Sequence, residues 1–218
     1  PSERTRYGTP LPRLHDYSRQ HLIDAVDQSL RRMKTDYLDV LQFHFSPAKE
    51  VLEREGAIQT LQDLKQAGKI RFLGVSSILP NFRDHIQMDV FDVFQVPYSA
   101  LQPEHEAAIA AAARGGAGIV VRGGVARGAP GAGHGSADVW KLWEQAQLDD
   151  LLEGMSATEF MQRFTTTSPD MHTTIVGTLN PAHLQDNVAA VFKGPLPAAI
   201  YDEAKRRLAD ARAGLSVS

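Results

Sequence analysis

Five short runs rich in Val, Ile, Leu and Phe, each separated from the next by residues at helical spacing, constrain this chain more than any other feature. Such alternation points to parallel β/α architecture, because a strand rejoins its neighbour in parallel only through a crossover, usually a helix. The first run is LDVLQFHF, residues 38–45, closed by Pro47. KIRFLGVSS at 69–77, VFDVFQVPY at 90–98, GIVV at 118–121 and TTIVG at 173–177 follow, the last expected to be a buried strand. Before the first run, SRQHLIDAVDQSLRRM (18–33) places Leu22, Ile23, Val26 and Leu30 at helical spacing behind Ser18, a suitable N-cap. AIQTLQDLKQA (57–67) is a second helix that stops at Gly68, and EHEAAIAAAAR (104–114) is a third. DVWKLWEQAQLDDLL (138–152) reads as a helix, and SATEFMQRFTTT starts another at Ser156, which forms an S-x-x-E capping box with Glu159. PAHLQDNVAAVF (181–192) carries Pro181 in its first helical turn. RGGVARGAPGAGHGS (122–136) reads as a long functional loop or linker.

Two covered-sheet folds fit this pattern. A doubly wound domain can use five strands in an open sheet, whereas a TIM barrel needs eight, so strand count alone favours the open sheet. Neither G-x-G-x-x-G after the first strand nor a P-loop is present, which withholds support from the usual nucleotide loops of the open-sheet alternative. At 218 residues and 43% hydrophobic, the chain suits one domain spanning 1–218. A net charge of −3 gives no general reason to expect nucleic acid or an acidic membrane as partner. The absence of cysteine excludes disulfides and thiolate metal sites and suits a cytoplasmic location. No apolar run approaches the about 18 residues that suggest a membrane span. The chain opens on proline without an apolar leader, so it is expected to be incomplete at its N-terminal end.

Several separated segments carry a family resemblance. SRQHLIDAVDQSLRRMKTDYLDVLQFHF, AIQTLQDLKQAGKIRFLGVSS, VFQVPYSAL and IVGTLNPAHLQDNVAAV resemble the aldo/keto reductase superfamily, especially bacterial members that also resemble potassium-channel β subunits. Their order matches the fourth to eighth strands of that family's barrel. The resemblance therefore implies a (β/α)8 TIM barrel of aldo/keto reductase type, with the first three strands absent from this chain. It also implies an extended NADP(H), with NAD(H) not excluded, bound without a Rossmann domain.

The same resemblance assigns positions. His44 matches the histidine at the end of the fourth barrel strand, in a family that also uses Asp, Tyr and Lys. Those three normally lie in the preceding units, and Tyr17, Tyr37 and Lys34 do not match them. Ser76 and Ser77 fall on a Ser-Asn pair that meets the nicotinamide carboxamide; Ser77 keeps a hydroxyl but lacks the amide's reach. Gln95 matches the glutamine of the sixth strand that meets the same amide, and Tyr98 fits a support or substrate-pocket position. Arg122 stands where an aromatic ring normally stacks on nicotinamide, replacing a neutral ring by a permanent cation. Gly177 and Thr178 match residues beside the adenosine phosphate, while His183, Asp186 and Asn187 match adenine-end positions where Gln, Glu and Asn are frequent. No arginine occurs in GTLNPAHL to support a 2′-phosphate, so the preference for NADP rests on resemblance.

The implied function is reduction of an aldehyde or ketone by hydride transfer from a nicotinamide cofactor, with a small carbonyl or alcohol as substrate. In such a reaction a histidine can hydrogen-bond and align the carbonyl while other groups supply the proton. The alternative is a catalytically inactive, aldo/keto reductase-like nucleotide-binding or regulatory module. No metal site is expected from the eight histidines, because H-E-x-x-H is absent and His134 lies in the glycine-rich stretch. No G-x-S-x-G elbow supports a serine hydrolase. Substrate identity and oligomeric state are not encoded in any of these motifs.

Overall fold

The computed structural model describes residues 15–126 and 137–215. The elements run α1 (Arg19–Met33), β1 (Leu38–Phe43), α2 (Lys49–Arg54), α3 (Ala57–Gln66), β2 (Ile70–Ser76), α4 (Asn81–Gln87), β3 (Val93–Pro97) and α5 (Glu106–Arg114). They continue with β4 (Gly118–Arg122), α6 (Ala137–Gln145), a 3₁₀ turn (Leu148–Leu151), α7 (Ala157–Thr167), β5 (Thr173–Ile175), α8 (Pro181–Phe192) and α9 (Ala198–Leu215). The sheet has the strand order β1-β2-β3-β4-β5. Strands adjacent in sequence are therefore adjacent in space, each joined by a helical crossover. This sequential order favours a partial (β/α)8 barrel lacking early strands over a doubly wound sheet, whose strand order reverses at a switch point.

Local chemistry explains many element ends. Ser18 caps α1 by accepting the His21 N–H at 3.4 Å, and Ser156 caps α7 by accepting the Glu159 N–H at 3.1 Å. The reciprocal half of that capping box is replaced by ion pairs: Glu159 takes Lys193 at 2.7 Å and Arg163 at 3.3 Å. Gly68, at φ 75°, stops α3 as expected from its freedom in the left-handed region. The tryptophan-bearing helix ends sooner than its composition predicts, at Gln145, because Gln147 turns left-handed at φ 50° and the chain restarts as the 3₁₀ turn.

Chain contacts group the described residues into two compact units, those up to Leu41 together with Pro47–Leu73, and Gln42–Ser46 together with those from Gly74 onward. In the first, Val26 and Leu30 of α1, Leu52 of α2, and Leu61 and Leu64 of α3 are buried. Lys69 pairs with Asp27 at 2.6 Å at its margin.

In the second unit, parallel pairing sets Val75 level with Phe94 and Phe94 with Ile119, and Val96 level with Val121. All five are buried at 3% exposure or less, which identifies the helix-covered face of the sheet. Phe94 meets Phe82 of α4 edge-on, with ring centroids 5.2 Å apart. Helix α9, which the motif reading missed, buries Ile200, Ala204 and Leu208 at i, i+4 and i+8. The motif reading also omitted the short helices α2 and α4.

The expected buried strand at 173–177 needs correction. β5 is only Thr173–Ile175, and Thr173 and Ile175 are exposed, because among the described strands it is an edge paired only with β4. Nearby in the chain, Val176, Leu179, Leu184, Val188 and Phe192 also expose apolar surface. Replacing the buried Phe94 by alanine removes ring contacts on both Phe82 and Phe91. Phe94→Ala is expected to lower the unfolding free energy by about 3–5 kcal/mol, read as a shifted denaturant midpoint.

Candidate active site

The register that buries one face of the sheet aligns polar side chains on the other. Ser76 at the end of β2 is level with Gln95 of β3, Gln95 with Val120 of β4, and Val120 with Thr173 of β5. Two residues further along, Pro97, Arg122 and Ile175 form the next row. Residues level with one another in parallel strands project to the same side, so Ser76 and Gln95 are neighbours and Arg122 stands one strand over and one step beyond. These positions lie at the carboxyl ends of the strands, the end where (β/α) folds build their sites.

His44 falls just beyond β1 rather than within it. Its ring is exposed and stacks obliquely on Phe45, with centroids 3.8 Å apart. The expected strand 38–45 stops at Phe43 because Phe45 and Ser46 adopt φ of 67° and 50°. Two consecutive left-handed residues without glycine cost on the order of 1–2 kcal/mol each, so surrounding bonds must hold this turn.

The Ser76–Ser77 pair divides. Ser76, buried at 7% exposure, lies on the same face of the sheet as Gln95. Ser77 is fully buried: its hydroxyl lies 2.7 Å from Nδ1 of the equally buried His85, and its backbone N–H donates to the Gln95 carbonyl at 2.9 Å. That hydroxyl braces the strand end and does not reach the open face. Alternation along the strand gives the physical reason, since Ser76 and Ser77 are consecutive and project to opposite sides.

Tyr98 is also a support residue rather than a pocket lining. It is 2% exposed, its N–H donates to the Arg122 carbonyl at 3.2 Å, and burial above all raises its phenol well beyond the usual range. Arg122 itself is half-buried.

At the far end of the row, Gly177, Thr178, His183 and Asp186 are exposed near the start of α8. The Thr178 hydroxyl accepts the Asn180 N–H at 3.1 Å, and the Asn180 side chain caps α8 by accepting the Ala182 N–H at 3.0 Å. Asn187 faces another way: it accepts a short hydrogen bond from the buried Gln162 of α7, which engages its carbonyl oxygen within the helix pair. His134 lies outside the described residues.

Motif reasoning missed four polar residues that shape this end of the sheet: Ser46, Asn81, His85 and His105. Asn81 and His85 sit on α4, whose seven residues carry too few apolar positions to reveal a period, and the others lie in turns. His105 Nε2 accepts the Leu79 N–H at 3.1 Å, which leaves the neutral ring's proton on Nδ1, a buried atom without a hydrogen-bond partner.

Comparison with known proteins identifies the fold. Residues 5–206 match the Aldo/keto reductase family, and the chain belongs to that family. Over 78 residues it is 40% identical to the uncharacterized oxidoreductase YcsN of Bacillus subtilis (strain 168), covering 35% of this chain and 24% of that protein. Over 124 residues it is 32% identical to the uncharacterized oxidoreductase YqkF of the same organism, covering 52% of this chain and 37% of that protein. The holo form of aldo-keto reductase AKR11C1 from Bacillus halodurans superposes with a TM-score of 0.75 at 26% identity, over 88% of this chain and 68% of that one. The chain thus spans well under half the length of the two curated relatives. Among the described residues, no helix is long and apolar enough to cross a membrane.

Burial holds the His105 imidazole below its ordinary value of 6.5, with Glu104 opposing and Arg122 adding to the shift. In the unfolded chain this ring protonates near 6.5, whereas the folded state resists, so the unfolded state binds more protons in that window. Stability associated with His105 is therefore complete above that value and is lost as pH falls through the folded pKa. His105→Gln keeps an acceptor for Leu79 but cannot titrate. It is expected to flatten the fall in Tm as pH drops below 6.5, measured by thermal unfolding on the acid side of that value.

Proposed function

We propose that this chain is part of an NADP-dependent aldo/keto reductase that reduces small aldehydes or ketones, and reversibly oxidises the corresponding alcohols, in the cytoplasm. The observation that carries the reading is the level placement of Ser76 and Gln95 on the open face at the carboxyl ends of adjacent strands. Their hydroxyl and carboxamide supply complementary donors and acceptors for a nicotinamide carboxamide. Arg122, in the next row, offers a planar cation to the cofactor. Gly177 and Thr178 lead into the α8 N-terminus, which suits an anionic group, and the exposed His183 and Asp186 follow in its first two turns, where they suit an adenine-bearing group. Ser77 serves by bracing the strand end, and Asn187 by fixing α8 to α7.

A bound nicotinamide cofactor supplies the hydride. His44 donates a hydrogen bond to the carbonyl oxygen, orienting it and stabilising the negative charge that develops there. Proton transfer is assigned to the family's Asp, Tyr and Lys, whose positions precede the matching segment. In this reading residues 1–218 form one domain of a barrel, and the quoted segments support kinship with bacterial members related to potassium-channel β subunits. NAD(H) is the second cofactor considered, since GTLNPAHL lacks an arginine for the 2′-phosphate. Two departures, the inward Ser77 and the cationic Arg122, favour the second reading of a nucleotide-binding or regulatory module without turnover.

The native protein that carries this chain decides between them. NADPH titration followed by fluorescence, together with carbonyl-dependent NADPH oxidation, should give both binding and turnover. His44→Gln is expected to reduce kcat about 10²-fold or more with cofactor affinity unchanged, whereas Gln95→Leu should weaken NADPH binding roughly tenfold. Binding without turnover would favour the module, and unaltered turnover in His44→Gln would remove His44 from the chemistry.

A further inference from the structure

The turn that carries His44 is held by a polar clamp drawn from three parts of the chain. The Ser46 N–H donates to the Ser76 carbonyl at 3.0 Å, and the Ser46 carbonyl accepts from Nδ2 of Asn81 at 2.7 Å. Its hydroxyl accepts the Ile78 N–H at 3.1 Å and lies 3.3 Å from the Ile78 carbonyl and 3.5 Å from the Ser77 hydroxyl. Ser77 in turn meets His85 at 2.7 Å. Ser46, Ser77 and His85 are 8%, 0% and 0% exposed, so these bonds are shielded from competing water. Backbone and side-chain groups of Ser46 thus all have partners, although Ser46 itself sits at φ 50° behind Phe45 at 67°.

Consecutive left-handed non-glycine residues persist only where their surroundings over-determine them, and such strain gathers where a side chain must be aimed. Strand geometry alone would have continued past Phe43. The clamp instead ends β1, ties its last residues to the end of β2, and fixes the backbone two residues beyond His44.

We propose that Ser46 is a positioning residue for His44, with Asn81, Ser77 and His85 holding Ser46 in the strained turn. This rests on the functional reading only for the purpose of the aim; the clamp itself is tested without turnover. The ring signals of His44 are identified in the histidine NMR spectrum of the native protein by their loss in His44→Gln. Ser46→Gly accepts the left-handed backbone yet removes the hydroxyl, and Asn81→Ala removes the bond to the Ser46 carbonyl without touching the turn itself.

Both variants, folded by their amide spectra, are expected to shift the His44 ring signals and broaden them as the turn samples more than one arrangement. Unchanged His44 signals in the folded variants overturn the proposal. Should Ser46→Gly fail to fold, the Asn81→Ala spectrum decides the matter in the same way. Where turnover is present, Ser46→Gly should lower kcat at least tenfold while NADPH affinity holds, a split that general destabilisation does not produce. Loss of the functional reading would show separately, as turnover indifferent to His44→Gln while the NMR response to Ser46→Gly persists.

Discussion

Parallel register is the constraint on which the rest of the molecule depends. Setting Phe94 level with Val75 and Ile119 places a continuous apolar face against the helices, and the same register necessarily sets Gln95 level with Ser76 and Val120 on the other side. A slip of one residue would exchange the two faces, burying the Gln95 amide and exposing the Phe94 ring. The burial of Phe94 and its neighbours therefore protects the alignment of the candidate site as well as the core.

Hydrogen bonding then distinguishes side chains that sequence treats alike. Ser76 and Ser77 are adjacent and chemically identical, yet the pleat directs one to the open face and the other toward His85. The Ser77 hydroxyl is buried against His85, where it braces the end of β2. Arg122 is the reverse case: it keeps its place in the row but changes the charge that the row presents. These two departures from the family pattern lie together at the carboxyl ends of β2 and β4.

Much of the fold was legible because its signals are short-ranged. Ser18, Gly68, Ser156 and Pro181 mark helix ends through bonds or backbone angles within a few residues, and the helices stand where those residues put them. The helix α9 shows the same kind of signal in Ile200, Ala204 and Leu208, although no motif drew attention to it. Legibility failed at α4 and at the ends of β1 and β5. α4 is too short for periodicity, β5 lacks a second described neighbour to bury it, and β1 is halted by partners of Ser46 that lie 30 to 35 residues away. Of the candidate site, Ser76 and Gln95 were singled out by family resemblance and stand level in adjacent strands, whereas the hydrogen bonds of Ser46, Asn81 and His85 had no local signal.

By itself, the sequence determined the alternation of strand and helix, most helix boundaries and the family to which the chain belongs, since these depend on neighbouring residues and on motif order. Tertiary structure decided which serine turns toward His85, where β1 ends and how the histidine turn is secured. Those outcomes depend on register and on hydrogen bonds between segments distant in the chain, and no local pattern of residue types records which partner a buried hydroxyl will find.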